Sequence, residues 1–151
     1  MAVRVRINFE LPRARRAPVG RREARALFER AIRMALEAHS VKGGEVSLTL
    51  LDDEAIAAIN EQYLAHEGPT DVITFALHGE GEPPLGDIYV GWEQALRQAA
   101  DFGVSPREEL ARLAVHGTLH VLGYDHPEGP ERERSSMWIR QEQILREVMG
   151  T

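Results

Sequence analysis

The sequence predicts a single α+β domain over residues 1–151, with a four-stranded mixed sheet covered by helices. Three observations carry this. A chain of 151 residues is the size of one hydrophobic core. Four short stretches have the period and length of strands, and longer stretches repeat apolar residues at helical spacing. Their order is strand, helix, strand, helix, strand, strand and then three helices, which describes a sheet with helices packed on it.

Each element has its own reason. Val3 to Phe9 alternates strictly, as a strand with one buried face does. Leu11 to Gly20 holds two prolines and three arginines and reads as a loop. Arg21 to Ala38 repeats Ala24, Leu27, Ala31, Met34 and Ala38 at helical spacing. Gly43-Gly44 breaks the chain, and Glu45 to Leu51 sets Val46, Leu48 and Leu50 on one side of a second strand. Asp52 or Asp53 caps the next helix, whose buried stripe would be Ile56, Ile59 and Tyr63. Asp71 to Leu77 and Leu85 to Gly91 are the third and fourth strands, separated by a loop with two glycines and two prolines. Trp92 to Phe102 is a short helix ended near Gly103. Ser105-Pro106-Arg107-Glu108 places Ser at a cap, Pro at the first helical position and Glu in a capping box. That helix runs to about Leu122. A last one spans about Glu131 to Met149 and buries Met137, Gln141, Ile144, Leu145 and Val148. No repeat, linker or low-complexity tract interrupts the pattern.

Composition excludes several classes of function. Hydrophobic residues make up 43% and charged residues 28%, an ordinary globular balance. No window approaches the roughly 18–20 apolar residues of a membrane span. Met1 to Arg16 has no apolar block, so it is not read as a secretory signal. The absence of cysteine removes disulfides, thiolate metal clusters and Cys nucleophiles together, and fits a cytoplasmic protein. A net charge of −6 argues against coating nucleic acid through bulk positive charge. That total conceals an asymmetry: residues 1–33 carry ten Arg against three Glu, a net +7, and the rest of the chain carries −13.

The chemistry concentrates in His116-Gly-Thr-Leu-His120-Val-Leu-Gly123-Tyr-Asp-His126. Residues four apart on a helix are offset by about 40° around the axis and about 6 Å along it, so His116 and His120 project from one face and can share a metal. Gly123 can adopt the left-handed conformation that ends a helix and turns the chain back, bringing His126 to a third ligand position. Three neutral imidazoles suit one Zn²⁺ or another late first-row ion and leave a fourth position for water, whose pKa the metal lowers toward ~7. The spacing resembles that of the metzincin peptidases, which carry Glu after the first His as general base. Here that position is Gly117, so the metal scaffold is present without the proton acceptor of a peptidase.

These residues resemble the YbeY endoribonuclease family, whose signature is similar to His-Gly-x-Leu-His-Leu-x-Gly-Tyr-Asp-His. Residues 116–126 match it with Val121 in place of Leu. Pro69-Thr70-Asp71-Val72-Ile73-Thr74-Phe75 is similar to a second family block, Leu85-Gly86-Asp87-Ile88 matches a third, and Asn60-x-x-Tyr63 fits the segment before the second. The likeness runs from about Glu45 to the C-terminus in the family's order. It implies an α+β fold with zinc held by His116, His120 and His126, and hydrolysis of single-stranded RNA. It also implies a role in maturation of the 3′ end of 16S rRNA and in quality control of the small ribosomal subunit, with no membrane and no DNA as partner. One departure stands out. The family has Arg after the Tyr of Asn-x-x-Tyr, and this chain has Leu64. The next acidic position of the family is met by Glu67.

The leading expectation is therefore a zinc-dependent, single-strand-specific endoribonuclease, with His116 and a zinc-bound water at its catalytic centre. Water and the 2′-hydroxyl both remain open as nucleophile. Asp71, Asp125 and His66 are candidate helpers: Asp71 to orient a histidine or polarise water, Asp125 to hold an imidazole tautomer, His66 to replace the missing Arg. Against these stand bonding of turn amides for Asp71 and capping of the turn for Asp125. Arg4, Arg6, Arg13, Arg15 and Arg16 are the best sequence candidates for an RNA-facing surface, with a solvated basic face as the alternative. Trp92 and Trp138 read as core, and His39 and His78 as solvated. The other class of function is an rRNA-binding factor with a structural zinc and weak or no catalysis, which Leu64 favours.

Overall fold

Four strands pair in the order β1-β2-β4-β3, as β1 Arg4–Glu10, β2 Glu45–Leu51, β3 Val72–Ala76 and β4 Leu85–Gly91. The structure, a computed structural model, describes residues 3–11, 19–125 and 129–150. β1, β2 and β4 run parallel, and β3 runs antiparallel on the outer side of β4. The expected mixed sheet is therefore the observed one. Its helices are α1 Arg21–Ala38, α2 Asp53–Leu64, α3 Trp92–Phe102, α4 Pro106–Val121 and α5 Ser136–Met149, with a 3-10 helix at Gly129–Arg134.

Register decides which residues share a face. Ile7, Leu48, Ile88 and Thr74 form one row across the sheet. With Val46, Leu50 and Val90 they look toward α1, α4 and α5, where the main core lies. The opposite face carries a smaller cluster of Leu51, Ile56 and Ile73, flanked by Ile59, Phe75 and Tyr89, under α2. α2 covers only this corner. The expected stripe of Ile56, Ile59 and Tyr63 therefore fails at its end: Tyr63 is 62% exposed, and Asn60 is the buried residue, donating to the Gly68 carbonyl at 3.0 Å.

α4 is the central helix. It packs on β3 and β4 and is flanked by α1, α3 and α5. Two glycines let it approach the sheet. A Cβ on Gly117 would lie 2.7 Å from Cγ2 of Ile88, and one on Gly86 would lie 2.5 Å from Cγ2 of Val121. Each strand or helix thus gives up a side chain where the other presents a branched one. This explains why Glu is absent after His116: a side chain there would collide with the fully buried Ile88.

The ends of α4 follow the sequence. Ser105 Oγ accepts from the Glu108 amide at 3.1 Å with Pro106 at the first position. At the other end Gly123 has φ +99°, Gly123 N–H donates to the His120 carbonyl and Tyr124 N–H to the Leu119 carbonyl, both at 3.0 Å. That pair of bonds is the Schellman closure expected of a C-terminal glycine. The last helix differs from its expected span. Ser135 caps α5 by accepting from the Trp138 amide at 3.2 Å, so the segment before it is a separate 3-10 helix. His39 is not solvated: Nδ1 lies 2.8 Å from the Ala35 carbonyl and Nε2 lies 2.9 Å from Tyr124 Oη. His78 is engaged too, its Nδ1 accepting from the Leu85 amide at 3.1 Å. Among the described residues no helix is long and apolar enough to cross a membrane.

Candidate functional site

α4 brings His116 and His120 to one face near its C-terminal end, where β3 forms the edge of the sheet. His116 is buried, and its Nδ1 lies 2.6 Å from Gln141 Oε1 on α5. Gln141 donates through Nε2 to Glu142 Oε2 at 3.1 Å. A carboxylate only accepts, so it turns the amide nitrogen toward itself and the amide oxygen toward His116. That orientation assigns the proton to His116 Nδ1. His120 Nδ1 faces the Tyr124 carbonyl at 2.9 Å, another pure acceptor, which assigns the same tautomer.

Both Nε2 atoms consequently carry lone pairs when the rings are neutral, and they stand 3.1 Å apart with the rings edge to face. Two lone pairs at that distance repel unless a proton or a cation sits between them. At Zn–N distances of 2.0–2.1 Å, two nitrogens on a tetrahedral ion lie ~3.3 Å apart. The pair therefore fits a shared ion of that kind. Among the described residues no third His, Cys, Asp or Glu completes a metal-sized cluster. The expected third ligand, His126, lies outside the described residues, as do Arg13, Arg15 and Arg16.

A groove of ≈ 500 Å³ opens over the two histidines between β3 and the α4 end, with Leu64, Thr70, Asp71, Thr74, Tyr124, Asp125 and Arg132 in its walls. A smaller cavity of ≈ 310 Å³ lies on the other side of His116, lined by Gln98, Phe102, Glu109, Arg112, Trp138 and Gln141. His116, Asp71 and Arg132 border both.

The candidate helpers fall in different places. Asp71 Oδ1 accepts from the Val72 amide at 2.8 Å and from Thr70 Oγ1 at 3.3 Å, so it bonds its own turn while bordering the groove. Asp125 is exposed on the groove wall. His66 is exposed beyond α2 and is not among the residues lining either cavity. Arg4 and Arg6 lie on β1, the edge strand farthest from β3, so three strand spacings, ~14 Å, separate them from the groove edge. Trp138 is half-buried on the cavity wall with Arg132 over its ring at 5.8 Å, rather than enclosed in the core.

Behind His116 runs a polar chain that sequence reasoning did not assemble. Arg112 reaches Glu142 with two bonds of 3.0 and 3.1 Å, Glu109 at 2.5 Å and Glu108 at 3.1 Å. Gln98 Nε2 donates to Glu109 Oε2 at 2.9 Å. Burial pushes the Glu109 carboxyl up, against Arg112 and Gln98, which pull it down. Burial also works against the Arg112 charge, but its hydrogen bonds to Glu142 and Glu109 outweigh this and hold it protonated. The sequence signal was Gln141 within an apolar stripe. A buried amide needs partners, and its partners are His116 and the carboxylate that Arg112 holds.

The chain is similar to known proteins. The family described as Endoribonuclease YbeY matches residues 12–149. The chain is 47% identical over 114 residues to the Endoribonuclease YbeY of Geobacillus kaustophilus, covering 68% of this chain and 72% of that one. It is 44% identical over 140 residues to that of Moorella thermoacetica, covering 85% and 88%. The solution structure of TM1509 from Thermotoga maritima superposes with a TM-score of 0.64 at 28% identity, covering 97% of this chain and 89% of that one. With a family match across nearly its whole length and relatives above 40% identity, the chain belongs to the Endoribonuclease YbeY family.

Proposed function

We propose that this protein is a zinc-dependent endoribonuclease that cuts single-stranded RNA in the groove above His116 and His120. The observation that carries the metal is the tautomer pair: two Nδ1 atoms committed to acceptors and two Nε2 atoms facing each other at 3.1 Å. The endoribonuclease activity is that of the named relatives. His116, His120 and His126 would hold one ion. When bound, the ion supplies Lewis acidity, polarising a phosphoryl oxygen and acidifying water.

The chain's own residues do the rest. Gln141 and the Tyr124 carbonyl keep both rings in one tautomer and one orientation. Glu142 and Arg112 keep the Gln141 amide from flipping. Gly117 puts no carboxylate at the position directly after His116, so the base of a peptidase is missing there and the nucleophile must be prepared without it. RNA brings its own second candidate, the 2′-hydroxyl. The substrate in the cell is rRNA of the small ribosomal subunit, at the 3′ end of 16S rRNA and in its quality control, and the site of action is the cytoplasm.

The test is cleavage of an unstructured RNA oligomer by the purified protein, with metal content measured alongside. The expected outcome is cleavage and about one zinc per chain, with both lost in His120→Ala. Unchanged zinc in His116→Ala, His120→Ala and His126→Ala would end the metal assignment. A 2′-deoxy residue at the scissile position leaves cleavage intact if water attacks and abolishes it if the 2′-hydroxyl does. The second reading, an rRNA-binding factor with a structural zinc, is favoured by Leu64, an apolar residue on the groove wall. Zinc-loaded protein that binds RNA and leaves it uncut would establish it.

A further inference from the structure

Among the described residues Arg132 is the one guanidinium on the groove wall, and it also borders the cavity behind His116. Its setting differs from that of the neighbouring Arg112, which is matched by three carboxylates. Among the described residues Arg132 has no carboxylate partner, and its Nε is buried with no hydrogen-bond acceptor. The guanidinium lies over the Trp138 ring, 5.8 Å from its centroid, a platform that positions a cation without neutralising it. A second orphan belongs to another residue lining the same groove: Thr74 Oγ1, buried and unpartnered on the edge strand β3. Buried polar atoms without partners are rare in folded proteins. Here two of the three among the described residues line one groove, one of them on a cation. What both lack is a ligand that brings acceptor oxygens and negative charge to a point beside His116. Leu64, on the same wall, offers no donor.

We propose that Arg132, held over the Trp138 ring, is the substrate-binding residue that receives the RNA phosphate at this site, with Thr74 as a hydroxyl partner in the same groove. The inference rests on the endoribonuclease reading above and names the group that engages the substrate's charge. A planar fork suits a phosphate's paired oxygens, and a lysine in its place would keep the charge without the fork or the stacking plane.

The experiment compares wild type with Arg132→Met, Arg132→Lys and the double variant Arg132→Met/Leu64→Arg. Binding of a fluorescently labelled single-stranded RNA oligomer is followed by anisotropy at several salt concentrations, and kcat/KM, zinc content and thermal melting are measured on the same preparations. Arg132→Met is expected to lose about 10²–10³ in kcat/KM, the usual effect of removing one donor to transition-state charge. Its salt dependence of binding should fall by about 0.7 in log–log slope, the value for one phosphate contact on a single strand. Zinc content should stay unchanged. Arg132→Lys should keep the salt slope and lose about tenfold in kcat/KM. An arginine at position 64 enters the same groove, so the double variant should regain most of the lost slope. A wild type that cuts RNA while both single variants match it in rate and slope would overturn the proposal. A wild type that neither binds nor cuts RNA would overturn the function instead and leave zinc content as the separate record of the metal site. Should Arg132→Met melt early, Arg132→Lys decides: unchanged kcat/KM there sinks the role of the fork.

Discussion

The molecule has two arginine-bearing regions that behave in opposite ways. At the β1–α1 edge arginines are numerous, and the described ones that make contacts hold the fold together. Arg25 donates to the Ile7 carbonyl at 2.7 Å, Arg30 to the Val148 carbonyl at 3.0 Å and Arg33 to the Val3 carbonyl at 3.1 Å, while Arg6 pairs with Glu45 at 3.0 Å. Arg21 and Arg25 both lie over Phe9. Around the two cavities that border His116, the described residues include two arginines. Arg112 is half-buried among three carboxylates, and Arg132 is matched by none of the described residues. Among the described residues, then, the dense positive charge of β1 and α1 does not line the groove. What separates an architectural arginine from one available to a substrate is whether its donors are already engaged by acceptors of the fold.

The largest effect that sharpens this contrast is at Arg112. Replacing it by Met leaves Glu109, which is 1% exposed, as an unpaired buried carboxylate. Breaking one side of such a pair costs about 3–5 kcal/mol, so urea unfolding of Arg112→Met should show a loss of that size. It should also lower zinc affinity, because Glu142 and through it Gln141 lose their anchor. A loss below ~1 kcal/mol would place Arg112 with the surface arginines and dissolve the distinction.

Next comes the helix–sheet contact beneath the histidines. Gly117→Ala forces a methyl against the buried Ile88 and should cost about 1–3 kcal/mol. Gly43→Ala, in the loop after α1 where no atom lies within 4 Å of the added carbon, should stay within about 0.5 kcal/mol. Equal costs at the two positions would mean that α4 yields as easily as a surface loop, and that Gly117 is not there for close packing.

A smaller effect is expected in pH dependence. Burial raises the folded carboxyl of Glu109 above its ordinary 4.5, so the folded protein holds that proton more tightly than the unfolded chain. Stability from this group is therefore fully present below the unfolded value and is lost as pH rises through the folded one. Urea midpoints compared between wild type and Glu109→Gln should show the wild type losing relative stability as pH climbs from about 4.5. A difference curve that is flat, or that rises, contradicts an upward shift of this carboxyl.

Much of this arrangement was legible in the sequence, for physical reasons particular to each element. Strand period, the Ser105-Pro106 start and Gly123 are local signals, and local hydrogen bonding realises them: the cap accepts from Glu108 and the glycine closes α4. The His116–His120 pair was legible because four residues make about one turn of any α-helix. The rest depended on tertiary contact. Gln141 lies 25 residues from His116 and could not be tied to it by spacing. Arg132 read as part of one long helix because Ser135 as a cap is a weaker signal than Ser-Pro. Tyr63 read as buried because a stripe shows which residues share a face and not how far the covering surface extends. Leu64 stood out by its departure from the family, yet only the groove shows that an arginine of another element borders the same space.

The smallest effect carries the comparison to its limit. Arg6 and Glu45 are paired at 3.0 Å with more than a third of each side chain exposed, so water screens both charges and holding two long side chains together has an entropic cost. Arg6→Gln should therefore change stability by no more than about 0.2–1 kcal/mol. Its consequence for RNA should be smaller still. Arg6 lies on the edge strand opposite β3, and at 0.15 M salt the Debye length of about 8 Å is shorter than the ~14 Å across the sheet. Anisotropy titrations of Arg6→Gln at that ionic strength should overlay those of the wild type, with an unchanged salt slope. If Arg6→Gln instead weakened RNA binding more than Arg132→Met, the strand would track across the basic edge, and engaged donors would no longer distinguish an architectural arginine from a substrate-binding one.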